Sequence, residues 1–276
     1  MTASLISKPV SRRNFLHLTA GAALSLGLWP GHLRAKDNAL GGSFRFVVLN
    51  DTHYSTEKCG PWFERVAQSI RSIRPRPDFC FVVGDLAQDG KQEELGPMRD
   101  MLRSLRINYH AVLGNHDFTP EHERKAWDQL FPRSINYHFN HRGWQVIGLD
   151  SCEGARWRDT RIQPGTLSWV DAKLRKLDRA KPMLLFTHFP LGATTPMRPM
   201  NADDLLERFR DFNLVAVFNG HHHGFTERAF GNAVITTNKC CAISRNNHDG
   251  TKEKGYFLCE AGNGGVRRQF IEVNPA

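Results

Sequence analysis

Gly114-Asn115-His116-Asp117 is the stretch on which the reading of this chain turns. It follows the short apolar run 109–113, which predicts a loop just beyond a strand. An amide oxygen, an imidazole and a carboxylate in adjacent positions make a compact set of metal ligands and proton-transfer groups. Gly, Asn and Asp are also ordinary turn residues. The rest of the chain tips the balance, because four other apolar runs also end in ligand-type residues. Run 44–49 leads into Asp51-Thr52-His53, and run 79–83 into Gly84-Asp85. The run starting at Met183 leads into Thr187-His188, and run 214–218 into Gly220-His221-His222-His223. Ligands of open α/β sheets collect beyond the carboxyl ends of the strands. Five runs would therefore deliver Asp, Asn and His to one sheet edge. Gly84 and Gly220 would let backbone come close to a metal there.

Amphipathic segments between the runs predict helices at 62–73, opened by Pro61, and at 92–105. A further helix is expected up to about residue 130, with Thr119 as N-cap and Pro120 at the first helical position. Others are expected at 167–177 and 202–212. Segments 137–140 and 145–149 flank Arg142-Gly143, a hairpin signal. The tail, at 225–230, 233–237, 256–259 and 266–273, predicts antiparallel strands. Strand and helix in alternation, then a strand-rich tail, predict an α/β fold with a mixed sheet or two packed sheets. No internal repeat or low-complexity linker marks a second domain.

Carboxylate and amide oxygens with imidazoles, and no thiolate, suit Mn, Fe or Zn. The ligands are too many for one tetrahedral ion. Two divalent transition-metal ions about 3.5–4 Å apart, sharing one carboxylate, would use them all.

The blocks DxH, GD, GNHD, H and GHxH, in this order, resemble the calcineurin-like metallophosphoesterase family over nearly the whole chain beyond residue 35. That resemblance implies a four-layer αββα sandwich of two mixed β-sheets flanked by helices. It implies that Asp51, His53 and His223 hold one metal, that Asn115, His188 and His221 hold the other, and that Asp85 bridges. His222 would face away. The nucleophile would be a hydroxide shared by the ions, and the substrate a small phosphoester, by preference a diester. His116, a non-ligand in the family, would bind phosphate oxygen or protonate the leaving alkoxide, and Asp117 would hold its ring. Gly165-Thr166-Leu167-Ser168-Trp169 resembles the helix entry of phosphodiesterase-like members. Phe189 departs from the family, in which a second histidine often follows the ligand at position 188. The arginines of 156–161 lie outside the shared blocks; they could grip phosphate or belong to a solvated loop. Asn247-His248-Asp249 repeats the triplet at 115–117 and reads as a surface turn or as a loop over the cleft. A phosphomonoesterase or nucleotidase is the rival within the enzyme class, and a non-catalytic scaffold the rival outside it.

Ser11-Arg12-Arg13-Asn14-Phe15-Leu16-His17 resembles a twin-arginine signal, with His17 where lysine is usual. With the apolar stretch 18–29 and Leu33-Arg34-Ala35, it predicts a signal peptide over 1–35, a metallophosphoesterase domain over 36–276, and export to the periplasm by the twin-arginine machinery. Removing Lys8, Arg12, Arg13 and Arg34 lowers the formal charge from +9 to +5. A mildly basic surface suits an anionic substrate. No basic, aromatic-interleaved run indicates nucleic acid, and no apolar run approaches the roughly 20 residues of a membrane span. Export in the folded state works against disulfides formed outside, so the six cysteines are expected mostly as free thiols.

Overall fold

The structure is a computed structural model that describes residues 41–275; the twin-arginine stretch and the expected boundary at residue 35 lie outside the described residues. The first strand, β1 (Phe44–Leu49), shows how the layers arise. Its side chains alternate, and both faces are apolar: Phe44, Phe46 and Val48 pack into one cluster, Val47 and Leu49 into another. A strand buried on both faces needs a layer on each side.

One layer is the sheet β11-β10-β1-β2-β3, formed with β2 (Phe79–Val83), β3 (Asn108–Val112), β10 (Gly255–Gly262) and β11 (Gly265–Glu272). The second sheet has the order β4-β5-β6-β7-β9-β8. Its strands are β4 (Tyr137–His141), β5 (Trp144–Leu149), β6 (Met183–Thr187), β7 (Leu214–Asn219), β8 (Thr226–Phe230) and β9 (Ala233–Thr237). Aromatic rings join the sheets face to face. Phe81 stacks on Phe186 with centroids 4.1 Å apart, and Phe46 meets Phe218 edge-on at 5.6 Å. Truncating one of these buried rings to alanine would cost about 3–5 kcal/mol.

Helices cover the outer faces. Over the first sheet, α1 (Gly60–Ser72) buries Trp62, Phe63, Val66 and Ile70, and α2 (Gln92–Ser104) buries Leu95, Met98 and Leu102, all in the cluster that holds Val47 and Leu49. Trp127 of α3 (Lys125–Leu130) joins them. Over the second sheet, Val170 of α4 (Pro164–Leu174) and Leu205 and Leu206 of α5 (Ala202–Glu207) pack on Ile147, Leu185 and Val217. The result is the expected four-layer αββα sandwich. Strands β1, β2 and β3 run parallel, as do β5, β6, β7 and β9, so each set ends its strands toward one edge.

Several local expectations need correction. No helix starts at Thr119. The chain turns there, with Thr119 O accepting from His122 N at 2.8 Å, and His122 sits at φ 63°. A left-handed non-glycine residue ends helical propagation, and α3 begins only at Lys125. The helix expected at 167–177 starts at Pro164, whose ring suits the first helical turn, and ends at Leu174; the last ends at Glu207 rather than 212. The tail strands are not all antiparallel: β9 lies parallel to β7 and antiparallel to β8, while β10 and β11 belong to the other sheet. All six cysteines are free. No helix among the described residues is long and apolar enough to cross a membrane.

Candidate metal centre

The loops that leave β1, β2, β3, β6 and β7 meet at one point. Asp51, His53, Asp85, His221 and His223 all have left-handed backbones, with φ between 42° and 65°. Non-glycine residues held there cost about 1–3 kcal/mol each, and such strain clusters at functional sites. Surrounding packing pins them: Asp51 N donates to Gly84 O at 3.1 Å, and His53 N to Asp85 O at 3.0 Å. Three glycines make room. A Cβ on Gly84 would overlap the His188 ring, one on Gly114 would strike Asp85, and one on Gly220 would sit 2.7 Å from Asp51 Oδ2. Gly84 and Gly220 therefore admit ligand side chains, where the sequence suggested close approach of backbone to a metal.

Two of the three convergent groups of buried donor atoms overlap in a single residue. Asp51, His53, Asp85 and His223 converge in the first, and Asp85, His188 and His221 in the second. Asn115 Oδ1 lies 3.3 Å from His188 Nε2 and so joins the second. His53 Nε2 is 3.1 Å from His223 Nε2 and 3.6 Å from Asp85 Oδ2. His223 Nε2 is 3.4 Å from Asp51 Oδ1, and His188 Nε2 is 3.3 Å from Asp85 Oδ1. Ligand bonds of about 2.0–2.2 Å put neighbouring donors about 3–3.6 Å apart. The observed spacings fit. Two imidazole nitrogens facing each other beside two buried carboxylates also call for a shared cation.

Other hydrogen bonds aim the rings. His188 Nδ1 donates to Val83 O at 2.9 Å, which turns Nε2 toward Asp85 and Asn115. His221 Nε2 donates to Trp157 O at 2.8 Å, leaving Nδ1 for the cluster. Phe189 packs its ring on His188 and His221 with centroids 5.3 and 4.0 Å away, so it serves as an apolar backing for both. His222 belongs to neither group and neighbours His248 instead. Cys240, which sequence reading left out, forms a third convergent group with His53 and His223. Its thiol donates to Asp51 O, 3.1 Å away, and so serves as a hydrogen-bond donor.

Electrostatics carry the same message. Burial works to raise the Asp51 carboxyl, yet His223 and His188 hold it well below the usual range. Asp85 is likewise depressed, against burial, by His188 and His116. Burial alone would lower His188 and His223, but Asp85 lifts the first to about 9 and Asp51 lifts the second to about 11. Burial takes His53 and His221 down to about 3. Two carboxylates are thus matched by two positive charges, which a metal ion would supply in place of protons.

Beside the donors lies a cavity of about 520 Å³ whose lining includes Asp85, His116, Trp157, His221, Arg245 and His248. His116 Nδ1 donates to Gln88 O at 2.7 Å. Asp117 does not hold this ring, which corrects the expectation. Its buried carboxylate accepts from Leu86 N at 2.8 Å, Ala87 N at 2.9 Å and Gly114 N at 2.9 Å. Those amides would otherwise be unpaired in the interior, so Asp117 ties the loop after β2 to the loop after β3. The arginines of 156–161 are absent from the lining: Arg156 pairs with Glu153, and Arg158 lies over the Trp157 ring, 3.9 Å from its centroid. The stretch around Asn247-His248 is instead the one that folds over the cleft, with His248 N donating to His223 O at 3.1 Å.

Residues 44–225 match the family described as calcineurin-like phosphoesterase. The glycerophosphodiester phosphodiesterase GpdQ of Enterobacter lignolyticus is 29% identical over 186 residues, which cover 62% of this chain and 65% of that protein. A probable cyclic nucleotide phosphodiesterase of Synechococcus is 30% identical over 166 residues, 58% of this chain and 63% of that one. The match thus spans a little under two thirds of the length of these relatives. Among solved structures, GAP50, the anchor in the inner membrane complex of Plasmodium, superposes with a TM-score of 0.60 over 84% of this chain and 85% of that one at 14% identity. That likeness is one of fold alone.

Proposed function

The chain belongs to the calcineurin-like phosphoesterase family, and on that premise we propose that it is a phosphoester hydrolase, by preference a phosphodiesterase, with two divalent transition-metal ions (Mn, Fe or Zn). The observation that carries this reading is the sharing of Asp85 between two buried groups of N and O donors. The diester preference is supported by the phosphodiesterase relatives.

Asp51, His53 and His223 would hold one ion, and Asn115, His188 and His221 the other, with Asp85 common to both. Bound there, the ions supply Lewis acidity toward phosphoryl oxygens and lower the pKa of an attacking water. The protein's own groups do the rest. Val83 and Trp157 carbonyls fix the His188 and His221 rings. Gln88 O fixes His116 through Nδ1, leaving Nε2 free to bind phosphate oxygen or pass a proton to the leaving alkoxide. The test is hydrolysis of bis(p-nitrophenyl) phosphate and p-nitrophenyl phosphate by metal-reconstituted protein. Faster diester cleavage is expected. Equal or faster monoester cleavage would favour a phosphomonoesterase or nucleotidase, and inactivity on both with metals bound would favour a scaffold.

Residues 11–17 support export by the twin-arginine machinery. Folding and metal loading in the cytoplasm would then keep copper from outcompeting weaker-binding ions. Elemental analysis of the exported protein tests this, and copper in the site would contradict it.

A further inference from the structure

Arg245 is the one permanently charged cation among the described residues lining the cleft. Its Nη2 donates to Gln88 Oε1, and it forms no ion pair with any described carboxylate. A guanidinium has five N–H donors, so most of its capacity is left over. The same Gln88 accepts His116 Nδ1 through its backbone carbonyl, which ties Arg245 to the wall that carries His116. The loop is held in place by Asn247, 6% exposed. Asn247 Oδ1 accepts from Cys240 N at 3.2 Å and from Lys254 Nζ at 2.9 Å, and its Nδ2 donates to Glu253 O at 2.9 Å.

We infer that Arg245 is a substrate-binding residue whose guanidinium grips the phosphoryl oxygens of the ester, and that Asn247 is the positioning residue that keeps it there. The inference rests on the hydrolase reading above. Planar, forked donors match phosphate oxygens better than an ammonium does, so lysine should replace Arg245 only in part.

The test is calorimetric binding of inorganic phosphate to the metal-reconstituted full-length protein, with metal content checked in each variant. Arg245→Gln is expected to weaken binding about 10- to 100-fold, the range for hydrogen bonds to a charged group, and to raise KM for the diester similarly. Arg245→Lys should recover part of the loss. Asn247→Ala releases the loop without touching the guanidinium, and should weaken phosphate binding about 3- to 10-fold with metal content unchanged, the range for one or two neutral hydrogen bonds. Unchanged affinity in Asn247→Ala would overturn its positioning role, and metal loss in Arg245→Gln would make Arg245 a strut and overturn the inference. So would unchanged affinity in Arg245→Gln. If the wild-type protein neither binds phosphate nor cleaves any ester, the hydrolase reading fails, and this inference falls with it.

Discussion

The two sheets contribute unlike chemistry to one centre. The first, through the loops after β1, β2 and β3, provides Asp51, His53, Asp85 and Asn115, and so both carboxylates. The second, through the loops after β6 and β7, provides His188, His221 and His223, imidazoles only. Each convergent group nevertheless draws on both sheets: His223 crosses to join Asp51, His53 and Asp85, while Asp85 crosses to join His188 and His221. Neither group is complete from one sheet. Metal binding would therefore fasten the two halves of the sandwich together, beyond what the aromatic layer between them does.

The strongest way to break this comparison is Asp85→Asn, since Asp85 is the one residue in both groups. Activity is expected to fall by on the order of 10³-fold or more, because Lewis-acid stabilisation of several kcal/mol is lost. Elemental analysis should show metal loss at the same time. His116→Ala separates chemistry from binding: kcat should fall about 10²–10⁴-fold with metal content unchanged. If that variant sheds metal, the division of labour is wrong.

Two glycines sharpen the contrast between the groups. Gly84→Ala forces a side chain into the His188 ring from a backbone at φ +83°. The second group should lose metal affinity about 10–100-fold, as when a supporting contact is removed, while the first keeps its ion. Gly220→Ala crowds Asp51 and should do the reverse, more mildly. Chelation should lower the Tm by on the order of 5–10 °C, given about 2.7 kcal/mol for ligand at 100 Kd and a few degrees per kcal/mol.

A last contrast is in pH. His188 and His223 are raised above their unfolded value, so their stabilisation of chelated protein is complete below about pH 6.5. It is lost as pH rises through about 9 and then about 11. Metal loading should erase that loss, because bound imidazoles carry no proton. Thermal melts of stripped and loaded protein at pH 6.5 and 9.5 would check both signs.

Much of the centre was legible because each ligand block directly follows an apolar run, and parallel strands bring their ends together. The left-handed backbones were not, since nothing local distinguishes a strained Asp51 or His221 from an ordinary turn. Thr119-Pro120 has the local pattern of a helix start, and the turn at His122 overrules it. Tail pairing was likewise hidden: β9 reads as one strand of a hairpin, but its second partner, β7, lies beyond β8 in sequence. Arg245 meets Gln88, 157 positions earlier, through a loop without periodicity. Only the fold joins them, so sequence reading turned to the arginines of 156–161 instead.

Anomalous diffraction from crystals of the metal-reconstituted protein addresses the central claim most directly. Two peaks are expected about 3.5–4 Å apart, one among Asp51, His53, Asp85 and His223, the other among Asp85, Asn115, His188 and His221. A single peak, or a pair in which Asp85 contacts one ion only, would contradict the account.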